Sequence, residues 1–153
     1  MLDYIEHIAA ESTFVSFGPG EFGLTVEQEA AFVRASLDSD NRLFLLGFVE
    51  DQLVGSINIA GGLRARTQHS GEFGMSVRAA HWHRGIGTYL LADLLEWARD
   101  NVVLTRVALR VRSDNHRAIA LYERFGFDRE GVLRGDFVVD GVSYDHIVMA
   151  LAV

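Results

Sequence analysis

Two glycines and an arginine lie between a predicted strand and a predicted helix, in the run Arg84, Gly85, Ile86, Gly87. Backbone N–H groups at a helix start have no acceptor within the helix and lie at the positive end of its dipole. Glycine lets the chain turn tightly there and lets an anion approach the backbone. We therefore predict a diphosphate site at this helix start, with the Arg84 guanidinium adding a charge-assisted contact.

Two common phosphate-binding loops do not fit this segment. A P-loop needs a Lys-Ser/Thr pair directly after its last glycine, and no such pair follows Gly87. A dinucleotide-binding fingerprint needs a third glycine at the position that Leu90 occupies. On this segment alone, the remaining alternative is a glycine-rich turn that binds no ligand.

The elements that must position this segment follow from hydrophobic periodicity and turn residues. Helices are predicted at 2–12, 25–37, 85–100 and 115–125, and strands at 42–50, 52–60, 69–77, 105–112, 131–139 and 142–152. Thr25 and Gln28 form a capping-box pattern, and Asp140-Gly141 is typical of a two-residue hairpin turn. The strand–helix–strand unit of 69–112 predicts one parallel pair within a mixed α/β fold whose sheet is largely antiparallel.

Composition limits the classes of function. The 153 residues fit one domain, 1–153, and the net charge of −7 argues against nonspecific nucleic-acid binding. The chain has no cysteine, which excludes disulfides, thiolate metal sites and cysteine nucleophiles. No apolar run is long enough to span a membrane, and no secretory signal is recognisable at the N-terminus, so we expect a cytoplasmic protein.

Two segments carry a family resemblance. The run 82–87 resembles the acyl-CoA-binding motif of the GCN5-related N-acetyltransferase (GNAT) superfamily, which reads Gln or Arg, two residues, Gly, one residue, Gly or Ala. Trp82 stands where that motif has Gln or Arg. The segment from Asn115 through Tyr122 to Phe127 resembles the superfamily's later motif of Asn, Ala, Leu-Tyr and Gly-Phe. The resemblance covers about residues 25–152 and is to bacterial members that acetylate small amines or proteins.

The resemblance implies a GNAT-like fold and an activity. The expected sheet has six to seven strands, about four flanking helices and a central parallel pair that splays to admit the cofactor. The usual first strand is expected to be missing or shortened, because the first predicted helix begins at residue 2. The implied reaction is direct transfer of acetyl from acetyl-CoA, without a metal, to a primary amine of a small molecule or a protein. A non-catalytic acyl-CoA-binding sensor or docking module is the alternative, and a homodimer through the last hairpin or a strand edge is compatible with the sequence.

The resemblance also assigns roles to residues. The backbone of 75–77 would pair with the pantetheine arm, and the amides of 83–88 would hold the pyrophosphate; these residues are Met75, Ser76, Val77, His83, Arg84, Gly85, Ile86, Gly87 and Thr88. Asn115 would position the arm or would only cap a helix. Tyr122 matches the general acid that protonates the departing thiolate, or it only packs its ring. Glu72 is the candidate base, or it is a solvated strand carboxylate.

Other candidates have simpler explanations. His69, His81 and His83 invite a metal site, but we interpret them as ordinary loop histidines. Arg106, Arg110 and Arg112 are predicted to be solvated rather than to contact the nucleotide 3′-phosphate. Four phenylalanines are candidates to line the acceptor pocket, with core packing as the equal alternative for each: Phe14, Phe17, Phe22 and Phe32.

Overall fold

The computed structural model describes all 153 residues as one sheet with helices on both faces. The strands are β1 (Arg42–Val49), β2 (Gln52–Gly61), β3 (Ser70–Val77), β4 (Arg106–Arg112), β5 (Asp128–Val139) and β6 (Val142–Ala152). The helices are α1 (Leu2–Glu11), α2 (Val26–Leu37), α3 (Ile86–Asp100) and α4 (His116–Arg124), with a short 3₁₀ turn at Ala79–His81. The strand order is β1-β2-β3-β4-β6-β5, and only β3 and β4 are parallel. The predicted mixed, mostly antiparallel sheet of six to seven strands with about four helices is confirmed, with six strands and four α-helices.

Local signals account for where these elements begin and end. The capping box of Thr25 and Gln28 is present at the start of α2. Asp140 and Gly141 both have positive φ, 50° and 77°, as a type I′ hairpin turn requires. Strand β5 begins at Asp128, three residues earlier than predicted, because Gly126 ends α4 and the buried Phe127 leads directly into the strand.

Helix α3 forms the centre of the core. Its apolar residues recur every three or four positions, so that one stripe faces the sheet. Leu91, Leu94 and Leu95 are fully buried in a cluster of 17 residues. Burial of each such side chain stabilises the fold by about 1.5–3 kcal/mol, and this fixes the start of α3 against β2 and β3.

The two faces of the sheet carry different helices. Side chains of α3 contact the glycines of β1 and β2, and Tyr122 of α4 packs on Phe73 of β3. On the opposite face, Tyr4 of α1 bonds to Ser76 of β3, and Phe32 of α2 packs edge-to-face on a β1 phenylalanine. Any ligand that lies between β3 and β4 therefore has α3 and α4 on one side and α1 on the other.

Strands β3 and β4 part after three paired residues. The parallel register runs from Ser70↔Arg106 to Glu72↔Ala108 and then stops. Each strand stays paired on its outer side, β3 with β2 as far as Val77 and β4 with β6 as far as Arg112. The predicted splay is confirmed, and it leaves a gap between the second halves of β3 and β4. None of the helices is both long and apolar enough to cross a membrane.

Candidate active site

A run of unpaired backbone donors follows the end of β3. His83 and Gly85 have positive φ, 61° and 80°, and α3 begins immediately afterwards with Gly85 as its N-cap. The backbone N–H groups of residues 83–88 donate to no acceptor in the protein, and the first backbone bond of α3 runs from Tyr89 N to Gly85 O. Six consecutive donors at the positive end of a helix dipole suit a diphosphate. The residues present therefore fit the pyrophosphate of coenzyme A.

The edge of β3 that faces the gap also offers backbone groups. Arg78 N donates to Val54 O at 2.8 Å and Gly62 N donates to Ser70 O at 3.3 Å. Alternate residues of an antiparallel strand bond to the same neighbour, so the N–H and C=O of Met75 and Val77 point away from β2 and into the gap. The pantetheine arm carries amides that can pair with such an edge, and this geometry also fits coenzyme A.

Ser76 and Val77 differ from the simple expectation of a free strand edge. The backbone of Ser76 is turned towards β2, and its Oγ lies 2.8 Å from the Tyr4 hydroxyl. The carbonyl of Val77 accepts a hydrogen bond from Trp82 Nε1 at 2.7 Å. Among the three residues predicted to bind the arm, Met75 thus offers both backbone groups and Val77 offers its N–H.

Tyr122 lies on the α3 and α4 face, inside an aromatic cluster. Its ring is only 7% exposed and packs at 5.6 Å from the Phe73 ring and at 5.9 Å from the Phe127 ring. Desolvation by burial raises the pKa of Tyr122 to about 12. The hydroxyl has no hydrogen-bond partner in the protein and keeps its proton at neutral pH, so it is available as a donor.

Glu72 lies on the opposite face of β3, where the strands part. Its two oxygens accept side-on hydrogen bonds from Arg110 Nε at 3.0 Å and Arg110 Nη2 at 3.3 Å. The hydrogen bond and the charge of Glu72 raise the pKa of Arg110. Both side chains are about half exposed, so this pair borders the gap from the α1 face and does not meet Tyr122.

The prediction that the three β4 arginines are solvated is wrong for Arg112, whereas Arg106 and Arg110 stay partly exposed. Arg106 forms an ion pair with Glu130, and Arg110 pairs with Glu72. The side chain of Arg112 is only 5% exposed. Alternation along β4 placed the three side chains correctly on one face, but that face is covered by other elements at Arg112.

Arg112 joins three separate parts of the chain. Its Nη1 donates to Thr13 O at 2.7 Å, and its Nε and Nη2 donate to Asp114 at 2.7 and 3.1 Å. Its guanidinium carbon lies 4.2 Å from the centre of the Phe14 ring and 4.1 Å from that of Tyr144. It therefore holds the loop after α1 against β4 and the last hairpin, and no local pattern in the sequence pointed to this role.

The other predicted aromatic residues have structural partners. Phe17 and Phe22 pack on each other at 4.9 Å, and Phe32 packs on Phe44. Phe14 contacts Arg112 of β4.

Helix α1 is attached to the end of β3 by polar contacts that the sequence analysis missed. The Tyr4 hydroxyl donates to Ser76 O at 2.9 Å. Glu11 Oε1 accepts from Ala79 N at 3.0 Å and lies 3.5 Å from Arg78 Nε. These contacts hold α1 against the end of β3, on the face of the sheet opposite α3 and α4.

Asn115 and the histidines occupy defined places. The Asn115 side chain accepts a hydrogen bond from Ala118 N at 3.2 Å and so caps α4, as the alternative explanation predicted. This bond uses its carbonyl oxygen, and its amide nitrogen donates to no protein atom. No group of three or more His, Cys, Asp or Glu side chains is arranged to hold a metal ion.

The comparisons with known proteins agree with this geometry. A model of the acetyltransferase (GNAT) family matches residues 2–127. The chain belongs to the GNAT family. Its sheet, splayed parallel pair and amide-rich loop are thus the GNAT fold in this chain.

Its GNAT relatives act on different amines, as their names state. An L-amino acid N-acetyltransferase of Escherichia coli, AaaT, is 28% identical over 106 residues, which cover 69% of this chain and 65% of the relative. The N-alpha-acetyltransferase RimI of Mycobacterium tuberculosis is 45% identical over 69 residues, which cover 45% of this chain and 41% of the relative. The chain therefore spans less than two thirds of the length of either relative.

Two solved acetyltransferase structures superpose closely on this one. The structure of a GNAT-family acetyltransferase from Streptococcus pneumoniae has a TM-score of 0.94 at 28% identity and covers 99% of this chain, with 90% of its own chain matched. The structure of yncA from Salmonella typhimurium, solved with its cofactor acetyl-CoA, has a TM-score of 0.85 at 18% identity, with 98% of this chain and 84% of that one matched. The second likeness shows the fold alone.

Proposed function

We propose that this protein transfers an acetyl group from acetyl-CoA directly to a primary amine. The observation that carries the proposal is the junction where β3 and β4 part. The free edge of β3 and the six unpaired amides of 83–88 border that junction, and the Tyr122 ring packs on Phe73, the residue that follows the last paired position of β3. Strand pairing suits the amide-bearing pantetheine arm and a helix start suits the diphosphate.

In the proposed reaction the amine nitrogen attacks the thioester carbonyl, the new C–N bond forms, and the C–S bond breaks. The sulfur leaves as a thiolate that needs a proton, and Tyr122 supplies it as the general acid. A phenol whose pKa is raised to about 12 stays protonated until the thiolate forms. No cysteine is present to carry an acetyl group, which favours attack within a ternary complex.

Glu72 is the proposed acceptor of the proton that the amine loses. A carboxylate offers about four lone-pair sites, and the side-on contact with Arg110 uses two of them. The Glu72 side chain is about half exposed, and we propose that the amine approaches it from the α1 face. Arg110 fixes the orientation of the carboxylate. Because glutamine cannot accept the proton of the amine, we expect Glu72→Gln to lower kcat and to leave the affinity for coenzyme A unchanged.

The acceptor class is not fixed by these residues. The names of the GNAT relatives state L-amino acids, an alanine of ribosomal protein bS18, and spermidine as the acetylated groups. The net charge of −7 favours a cationic amine through the long-range field of the protein.

The experiment is release of free thiol from acetyl-CoA in the presence of an amino acid, a polyamine and a peptide with an N-terminal alanine. The proposal expects saturable turnover with one class of amine, and a strong loss of turnover in Glu72→Gln. Tight binding of acetyl-CoA without turnover on any amine would favour the non-catalytic binding module instead.

A further inference from the structure

Trp82 departs from the GNAT motif at its first position, and the structure gives this departure a role. The indole N–H donates to Val77 O at 2.7 Å, from the start of the amide-rich loop back to the last residue of β3. The indole is half-buried. This hydrogen bond joins Trp82 to Val77 at the point where the chain leaves β3. It therefore fixes the direction in which the backbone N–H groups of 83–88 point.

Arg117 of α4 lies on the Trp82 ring. Its guanidinium carbon is 4.0 Å from the centre of the ring, well within the range of a cation–π contact. Arg117 takes part in none of the ion pairs of the structure. The stack therefore restrains an exposed, unpaired positive charge in a chain whose net charge is negative.

The charge is held beside the unpaired amides. Arg117 and His83 line one open hollow between the loop and α4, together with Ala120, Leu121, Glu123 and Arg124. Glu123 does not neutralise Arg117, because its carboxylate pairs with Arg129. A restrained guanidinium next to free backbone donors is suited to a phosphate group.

We propose that Trp82 is a positioning residue, which ties the loop to β3 and holds Arg117 where its guanidinium binds a phosphate of coenzyme A. The inference rests on the proposed function, since it assumes that coenzyme A binds at the gap. The phosphate is either the pyrophosphate or the 3′-phosphate, which share the same chemistry. A Trp–Arg stack that serves only the fold is the competing explanation.

The first test is calorimetric titration of coenzyme A into Arg117→Gln and into the control Arg99→Gln, which removes an exposed charge near the far end of α3. Loss of a charge-assisted phosphate contact is expected to weaken binding on the order of tenfold in Arg117→Gln. The control is expected to bind like the wild type. Equal affinity of Arg117→Gln and the control would overturn the inference.

Dephospho-coenzyme A, which lacks the 3′-phosphate, identifies the phosphate. If Arg117 binds the pyrophosphate, the loss in Arg117→Gln persists with this ligand. If Arg117 binds the 3′-phosphate, the loss disappears. Either result supports a contact between the Arg117 guanidinium and a phosphate of coenzyme A.

The second test separates the tie from the stack. Trp82→Phe keeps a ring under Arg117 but removes the N–H donor, and we expect binding to weaken roughly fivefold, the value of one hydrogen bond. Trp82→Leu removes both the N–H donor and the ring. Adding Arg117→Gln to Trp82→Leu should therefore weaken coenzyme A binding only slightly further. Full additivity of those two changes would refute the coupling.

Two further controls keep the outcome interpretable. Should Trp82→Leu fail to fold, Trp97→Phe leaves Trp82 as the only tryptophan, and its emission should then shift on addition of coenzyme A. An unchanged emission would contradict the inference. A wild-type protein that does not bind coenzyme A would instead overturn the proposed function, whereas wild-type binding with an unaffected Arg117→Gln overturns only this inference.

Discussion

Removal of the Tyr122 hydroxyl separates a catalytic role from a packing role. The ring is nearly fully buried between Phe73 and Phe127, and the hydroxyl has no partner in the protein. Tyr122→Phe therefore keeps the packed ring and removes a hydroxyl that bonds to no protein group, so we expect little change in the free energy of unfolding. As the general acid, however, the hydroxyl is expected to contribute about 100- to 10,000-fold to kcat, which corresponds to about 3–5 kcal/mol of the activation barrier.

The assay is thiol release at saturating acetyl-CoA, with coenzyme A affinity and the thermal midpoint measured in parallel. Tyr122→Phe should lose kcat by the stated factor while both other quantities stay unchanged. Tyr89→Phe, which alters an exposed ring on α3, serves as the control. A loss of kcat below about threefold would refute the assignment, because proton transfer would then have another source.

The pH profile gives an independent check of the same residue. Activity requires the protonated phenol, and burial raises its pKa to about 12. The Tyr122 hydroxyl therefore cannot cause a loss of kcat between pH 8 and about 10, where a phenol of ordinary pKa would begin to ionise. An alkaline loss of kcat in that range that is absent from Tyr122→Phe would contradict the raised pKa.

Three further predictions concern the scaffold. Arg112→Met should lower the free energy of unfolding by about 1–3 kcal/mol in chemical denaturation, because a charged donor to Thr13 O is lost. An unchanged free energy of unfolding would show that this contact does not stabilise the fold. Gly71→Ala should lower the free energy of unfolding by about 1–3 kcal/mol, because the added Cβ would lie 2.7 Å from Ile59 Cδ1. Gly131→Ala is the control and should leave the free energy of unfolding unchanged, because a Cβ there meets no atom within 4 Å. The hydrogen bond from Arg112 lowers the pKa of Asp114, so the stability that Asp114 adds is fully present above the ordinary Asp pKa and is lost as the pH falls through the lowered one. The difference in free energy of unfolding between wild type and Asp114→Asn should therefore begin to shrink below about pH 4. A constant difference down to acid pH would count against the ion pair.

The sequence predicted the elements well where one local signal dominates. The apolar stripe of α3 has the helical period along its whole length, and the capping box at Thr25 and the turn at Asp140-Gly141 each depend on neighbouring residues only. The parallel pair followed from a strand–helix–strand unit with a single allowed handedness. The amide-rich loop was also predictable from a local signal, because Gly85 stands directly before the helix that it caps.

Contacts between distant segments were not predictable in this way. Arg112 follows the alternation of a solvent-facing residue, and its burial depends on Thr13, which is 99 positions earlier in the chain. The contact between Tyr4 and Ser76 spans 72 positions. Trp82 departs from the motif, and only the folded chain shows that its N–H reaches Val77 and that its ring lies under Arg117.

The most direct test of acetyl transfer is to supply acetyl-CoA with an isotopically heavy acetyl group and to locate the label by mass spectrometry. We expect the label to appear on the nitrogen of an amine acceptor, with one coenzyme A released for each acetyl group transferred. Label that remains on coenzyme A with every amine class, or that is released only as free acetate, would contradict it.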